Sequence, residues 1–192
     1  LLFYSDGQTV VNSSHAVMFN GTGLYGHYSG AQTVQCVPKP NDLGKFYLIT
    51  SRAWDLAGDF LYYSIVDFTD PGYPLGKVTN KNTLVSNVIY SQGNKVISKP
   101  STTDYWWIGH ILGTNQYNII SITPSGFSAP FTYTATGTAS GDSYTMTHSP
   151  MCNKVASSGS IGLVLMDFNS TTGVLSNPLQ VLAGQAGLGN FS

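Results

Sequence analysis

Short runs of β-branched and aromatic residues recur in groups of four along this 192-residue chain, each closed by Gly, Pro, Asn or Asp. This recurrence constrains the fold most, because runs separated by turn residues read as strands of a meander, and none continues long enough at helical spacing to argue for a helix. The first group is V-Q-C-V-P-K-P (34–40), K-F-Y-L-I-T (45–50), F-L-Y-Y-S-I-V-D-F (60–68) and V-T-N-K-N-T-L-V (78–85). The second is K-V-I-S-K-P (95–100), D-Y-W-W-I-G-H (104–110), Q-Y-N-I-I-S-I-T (116–123) and P-F-T-Y-T-A-T (130–136). The third is Y-T-M-T-H-S-P (144–150), N-K-V-A-S-S (153–158), I-G-L-V-L-M-D-F (161–168) and P-L-Q-V-L (178–182). Each first strand ends near a proline. As anchors, Phe68, Ile122 and Phe168 lie 54 and 46 residues apart, and Phe46, Tyr105 and Lys154 lie 59 and 49 apart. The larger first spacing, from Phe46 to Tyr105, has a local cause in R-A-W-D-L-A-G-D (52–59), a longer loop between second and third strands.

A four-stranded unit repeated every ~40 to 50 residues is the signature of a β-propeller, each unit being one blade. The expected fold class is therefore all-β and propeller-like. Residues 34–85, 86–136 and 137–182 are expected to be blades, with 1–33 the end of a preceding blade and connecting loop and 183–192 the start of a further one. Propellers close with about 4 to 8 blades, so three make an arc of a larger ring. The rest of a longer polypeptide, or other chains, would complete it, because an isolated arc exposes apolar blade faces. No basic leader precedes the opening L-L-F-Y-S-D-G, as expected of a processed chain or a piece of a longer one.

Composition agrees with strands and limits partners. Only 9% of residues are charged, against roughly 25% in an ordinary domain, so Ser, Thr, Asn and Gln must carry the polar surface. The net charge is −1 and the eight Lys and Arg are scattered singly, which leaves no basic stripe for nucleic acid. No apolar run is long enough for a membrane-spanning helix. Cys36 and Cys152 share no C-x-x-C spacing and read as two small buried hydrophobes.

Candidate chemistry is sparse. In D-Y-W-W-I-G-H, strand alternation sends Tyr105, Trp107 and Gly109 to one face and Trp106, Ile108 and His110 to the other, so the tryptophans read as packing on two buried faces. His110, at the strand's end, keeps a claim to ligand binding. A glycosidase would need two convergent carboxylates. Asp6, Asp67, Asp104 and Asp167 are the candidates, but Asp67 and Asp167 recur with the repeat before a turn and read as acceptors for turn amides. His15, His27, His110 and His148 form no zinc-ligand spacing, and no G-x-S-x-G elbow accompanies the His148–Ser149 pair. Asp55 and Asp59 bracket Gly58 without a calcium-loop pattern. No cofactor or metal is implied. Loop aromatics are the better lead, because flat rings stack on sugars and anchor protein partners. Trp54, Tyr25, Tyr28 and Tyr73 fall in predicted loops, Trp54 foremost.

The ordered series L-L-F-Y-S-D-G-Q-T-V-V-N with H-A-V-M and N-G-T-G-L (1–24), then V-P-K-P, L-Y-Y-S-I-V-D-F, D-Y-W-W-I-G-H and D-F-N-S-T-T-G-V-L-S-N-P spans nearly the whole chain. It resembles the propeller-like N-terminal regions of large secreted Bacteroidetes surface proteins, which carry adhesion-type repeats and a gliding-motility or type IX secretion sorting domain further on. The chain departs from that pattern at S-P-M-C-N (149–153), where the family has a Ser-Pro-Asp-Gly turn. The resemblance implies an extracellular, non-catalytic module with no active site to transfer, at a cell surface or, as in similar propellers of viral and phage appendages, a virion surface. The expected function is binding or adhesion to a glycan or protein ligand. The alternatives are a structural subunit of a virion or phage fibre or surface filament, and a propeller hydrolase or lyase acting on polysaccharide.

Overall fold

A computed structural model describes residues 2–51 and 60–183, which form fifteen strands and no helix. The protein is all-β. It divides into two compact units, Leu1–Val88 and Ile89–Ser192.

The first unit opens with a hairpin of β1 (Phe3–Ser5) and β2 (Val10–Asn12). An antiparallel meander follows in the order β3 (Val34–Pro38), β4 (Lys45–Ser51), β5 (Leu61–Asp67) and β6 (Lys77–Ser86). In the second unit β7 (Tyr90–Ser98), β8 (Tyr105–Ile111) and β9 (Gln116–Thr123) pair in sequence, and β9 also pairs with β10 (Gly126–Phe127) and β11 (Phe131–Thr134). Its other sheet is the meander β12 (Ser143–His148), β13 (Lys154–Gly159), β14 (Gly162–Asn169) and β15 (Val174–Ala183). None of the sheets closes on itself.

The three larger sheets share one register. Pro38 lies opposite Phe46, Ser98 opposite Tyr105 and His148 opposite Val155. Lys45 faces Asp67 as Lys154 faces Asp167. Two sequence anchors are corrected by this register: Ile122 stands opposite Tyr105, where Val66 stands opposite Phe46, and Val155 rather than Lys154 matches Phe46.

Proline begins each turn between first and second strands, and a left-handed residue follows it: Asn41 (φ 54°), Ser101 (φ 58°) and Cys152 (φ 54°). Proline presets the first turn position, and a positive φ lets the chain reverse into the next strand. Cys152 takes there a conformation that glycine adopts without a Cβ clash.

Each unit has its own core. In the first, Val10, Met18 and Leu24 pack with Leu48, Val66 and Val78, with Phe3, Phe46 and Phe68 at the margin. In the second, Ile97, Trp106, Ile108 and Ile119 of one sheet share a core with Met146, Val155, Val164, Met166 and Phe168 of the other. Alternation fills the opposite faces too: Tyr47 and Ile49 are buried although Leu48 points the other way, and Trp107 is buried although Trp106 does. Burying a large side chain contributes about 1.5–3 kcal/mol, so strands filled on both faces carry much of the stability. The expectation of two buried cysteines is corrected: both are free thiols, Cys152 half-buried and Cys36 exposed on edge strand β3.

Candidate functional site

The predicted site residues separate into surface rings and one buried histidine. Tyr25, Tyr28 and Tyr73 lie in loops as expected, but each has a different neighbour. Tyr25 meets Tyr62 edge to face, with centroids 5.1 Å apart. Tyr28, 70% exposed, stacks on His27 at 4.9 Å. Tyr73 pairs with Phe19 at 4.4 Å, the rings inclined by 39°. Trp54, with Asp55 and Asp59, lies outside the described residues.

The Phe19–Tyr73 pair is the best-built of these. Val78 N–H donates to the Phe19 carbonyl at 2.9 Å, and the Asn20 side-chain amide donates to the Val78 carbonyl at 2.9 Å, so the loop is pinned along β6. Lys81 secures the same loop through Asn20 Oδ1 at 3.0 Å and the Thr22 carbonyl at 2.8 Å. Asn82 accepts from Tyr25 N–H and donates to the Gly23 carbonyl, both at 2.9 Å. Phe19 is nonetheless 57% exposed.

Charge lines the rim of this ring pair. The Lys77 ammonium sits 5.1 Å from the Tyr73 ring centroid and donates to Asp70 at 2.5 Å. Asp70 also accepts from Gly72 N–H at 2.9 Å. Together these donors hold the Asp70 carboxyl below its usual range, Lys77 first, while Asp70 raises the Lys77 ammonium. Two flat faces beside a fixed donor and acceptor can stack on a sugar or an aromatic side chain and hydrogen-bond its polar groups. Phe19 was not singled out from the sequence; the only signal was its place in the polar stretch M-F-N-G-T-G, where a large apolar residue has no core strand to join.

His110 is buried, at 0% exposure. Its Nδ1 lies 2.8 Å from Ser91 Oγ, its ring meets Tyr117 edge to face at 4.9 Å, and its Nε2 has no partner. Ser91 Oγ accepts from Ser143 N–H at 3.2 Å and donates to the His110 carbonyl at 3.3 Å. Ser91 thus ties the His110 ring to the Ser143 backbone. Burial pushes the imidazole down to about 4, against weaker opposing pulls from the Thr114 backbone and the Asp142 charge. His110 therefore sits neutral in a polar knot beneath the surface, apart from the loop aromatics. His148 ends β12 with Nδ1 on the Ser149 carbonyl at 2.8 Å.

The carboxylates are engaged one by one. Asp6 accepts from Gln8 and Thr9 N–H at 2.9 and 2.7 Å, and Asp67 from Thr69 N–H and its hydroxyl at 2.7 Å each. Asp42 takes Lys39 and Lys45, Asp104 lies 4.0 Å from Lys99, and Asp142 accepts from Gly113 N–H at 3.0 Å. Asp167 departs from its expected role. It binds Lys154 and Asn177, and Asn169 accepts the turn amides of Thr171 and Thr172 at 3.0 and 3.1 Å instead. Among the described residues no three His, Cys, Asp or Glu side chains converge as metal ligands, and no helix is long and apolar enough to cross a membrane.

Comparison with protein-family models and with curated proteins finds no match for the sequence.

Proposed function

We propose that this chain is a non-catalytic binding module, an arc of β-propeller blades within a larger extracellular surface protein, and that it takes a glycan or protein ligand through loop aromatics. The observation that carries the binding reading is the pairing of exposed Phe19 with half-buried Tyr73, with Lys77 and Asp70 at its rim. Its backbone is already pinned to β6, which reduces the ordering cost that weakens loop-borne sites.

The propeller reading is supported by the register that the first and second strands share in the three larger sheets and, in the second unit, by one sheet laid on the next with first strands β7 and β12 side by side. The face of β14 and β15 carrying Leu163, Leu165, Leu179 and Leu182 is half-buried or exposed, as befits a blade face awaiting a neighbour. A non-catalytic role is supported by the described aspartates, each held by turn amides, lysines or a side-chain amide rather than aimed into a common cleft.

The test is binding of the chain to a broad glycan array, and pull-down with surface extracts, comparing the native sequence with a Phe19→Ala/Tyr73→Ala variant. Losing two such rings should weaken binding by more than tenfold, at about 1–3 kcal/mol for an aromatic anchor, with the unfolding midpoint little changed. Retained affinity in the double variant removes this site, and turnover of a polysaccharide panel removes the non-catalytic reading.

A further inference from the structure

The surface around Phe19 and Tyr73 is ordered by more than the contact of the two rings. Phe19 and Lys77 pair across a parallel bridge, so their side chains leave the backbone side by side. Asp70 and Tyr73 each open one of two successive β-turns: Tyr73 N–H donates to the Asp70 carbonyl at 2.9 Å, and Gly76 N–H to the Tyr73 carbonyl at 2.8 Å. Pro71 and Pro74 occupy the second position of these turns, where their preset φ holds the chain. Ring, ammonium and carboxylate are thus fixed by backbone bonds within the first unit.

The charged rim keeps hydrogen-bonding capacity. Among the described residues Lys77 donates to Asp70 alone, which occupies one of its three ammonium protons. Each Asp70 oxygen accepts one bond, Oδ1 from Gly72 N–H and Oδ2 from Lys77, and has a further lone pair. Both side chains are within reach of solvent, Lys77 at 22% and Asp70 at 35% exposure. A donor and an acceptor in contact stand one hydrogen-bond length apart, the same separation as the oxygens of a gauche vicinal diol. One hydroxyl of such a diol donates to Asp70 while its neighbour accepts from Lys77. Beside them lies the exposed ring of Phe19, a flat surface for the C–H face of a sugar.

We propose that this site takes an uncharged pyranoside, its apolar face on Phe19 and two adjacent hydroxyls held between Asp70 and Lys77. The inference rests on the reading of the ring pair as a binding site and names its ligand class. An anionic sugar is disfavoured, because Asp70 already matches the Lys77 charge and Asp67, the cross-strand partner of Lys77, adds to the negative field there. A peptide has to order several residues to bring a ring-covering side chain and a donor–acceptor pair to one spot, whereas a pyranose carries both on one rigid ring.

The test is NMR titration of the chain with methyl glucoside, methyl galactoside, methyl mannoside and methyl glucuronide, read on the Phe19, Tyr73 and Lys77 resonances. At least one neutral glycoside should bind with a Kd on the order of 1 mM, and more tightly than the glucuronide. Lys77→Met should weaken that binding about fivefold with the unfolding midpoint unchanged. Asp70→Asn, which keeps a cap for Gly72 N–H and releases Lys77, should move the preference toward the glucuronide by about fivefold. The proposal is overturned if no neutral glycoside binds at about 50 mM, if Lys77→Met keeps full affinity, or if Asp70→Asn leaves the preference unaltered. A protein partner whose binding is lost in Phe19→Ala/Tyr73→Ala but kept in Lys77→Met overturns the sugar while supporting the ring pair. Glycoside binding that survives Phe19→Ala/Tyr73→Ala overturns both.

Discussion

At the scale of single residues, the pair Trp106–Trp107 shows how one dipeptide serves two cores. Trp106 donates its Nε1–H to the Ser170 carbonyl at 2.8 Å and lies under the Lys99 ammonium, 3.9 Å from its ring centroid. Trp107 turns to the other face, meets Tyr90 edge to face and lies across Gly109, where an added Cβ would come within 2.0 Å of the indole. Strand alternation made the two faces legible in advance, but the need for glycine at 109 was not, since it depends on where the Trp107 ring lies. His110 gives a pH signature. Its value falls from about 6.5 unfolded to about 4 folded, so its contribution is fully present above pH 6.5 and is lost as pH drops toward 4. Unfolding free energy should fall by up to about 3 kcal/mol across that window. His110→Gln should flatten this portion of the urea-derived stability profile, and an equally steep profile in the variant would show that another group is responsible.

At the scale of elements, the fourth strands break at asparagines in the left-handed conformation. In β6 these are Asn80 (φ 45°) and Asn82 (φ 58°), and in β15 Asn177 (φ 48°), each within a register shift of the ladder to the third strand. Asparagine tolerates positive φ better than other non-glycine residues, and its amide can secure the distorted chain: Asn82 grips the 23–25 loop, and Asn177 donates to Asp167 at 2.8 Å. Asn177→Ala should therefore destabilise the second unit by about 1–2 kcal/mol, while Asn177→Gly, which keeps the backbone and loses only an exposed hydrogen bond, should cost clearly less. Chemical denaturation distinguishes the two, and equal losses would mean that the side-chain bond rather than the backbone matters. The strands themselves were readable from periodicity to within a few residues. Their breaks were not, because a bulge is imposed by cross-strand register, which a single run does not display.

At the scale of the whole molecule, stability should follow how many sides of a strand are covered. β8, β13 and β14 have strands on both edges and buried faces, whereas β1 has a single partner strand and β15 is an edge with exposed leucines. Native-state hydrogen exchange should be slowest at Ile108 and Val164 and fastest in Phe3–Ser5 and the outer half of β15, and β1 exchanging as slowly as β13 would contradict this ranking. Much of the architecture was determined by the sequence alone: an all-β chain whose strands pair in sequence order, proline-led turns and two-faced cores, because these follow from local period and turn chemistry. Three further features came only from tertiary structure. Phe19 stacks on Tyr73, a residue 54 positions away, through the pinning of its loop along β6. His110 lies in a buried polar knot rather than at an open strand end. Cys36 is open where its repeat counterpart Met146 is sealed. Burial and proximity are properties of what lies across the sheet, and a repeat that is regular along the chain does not reveal which of its members is left uncovered.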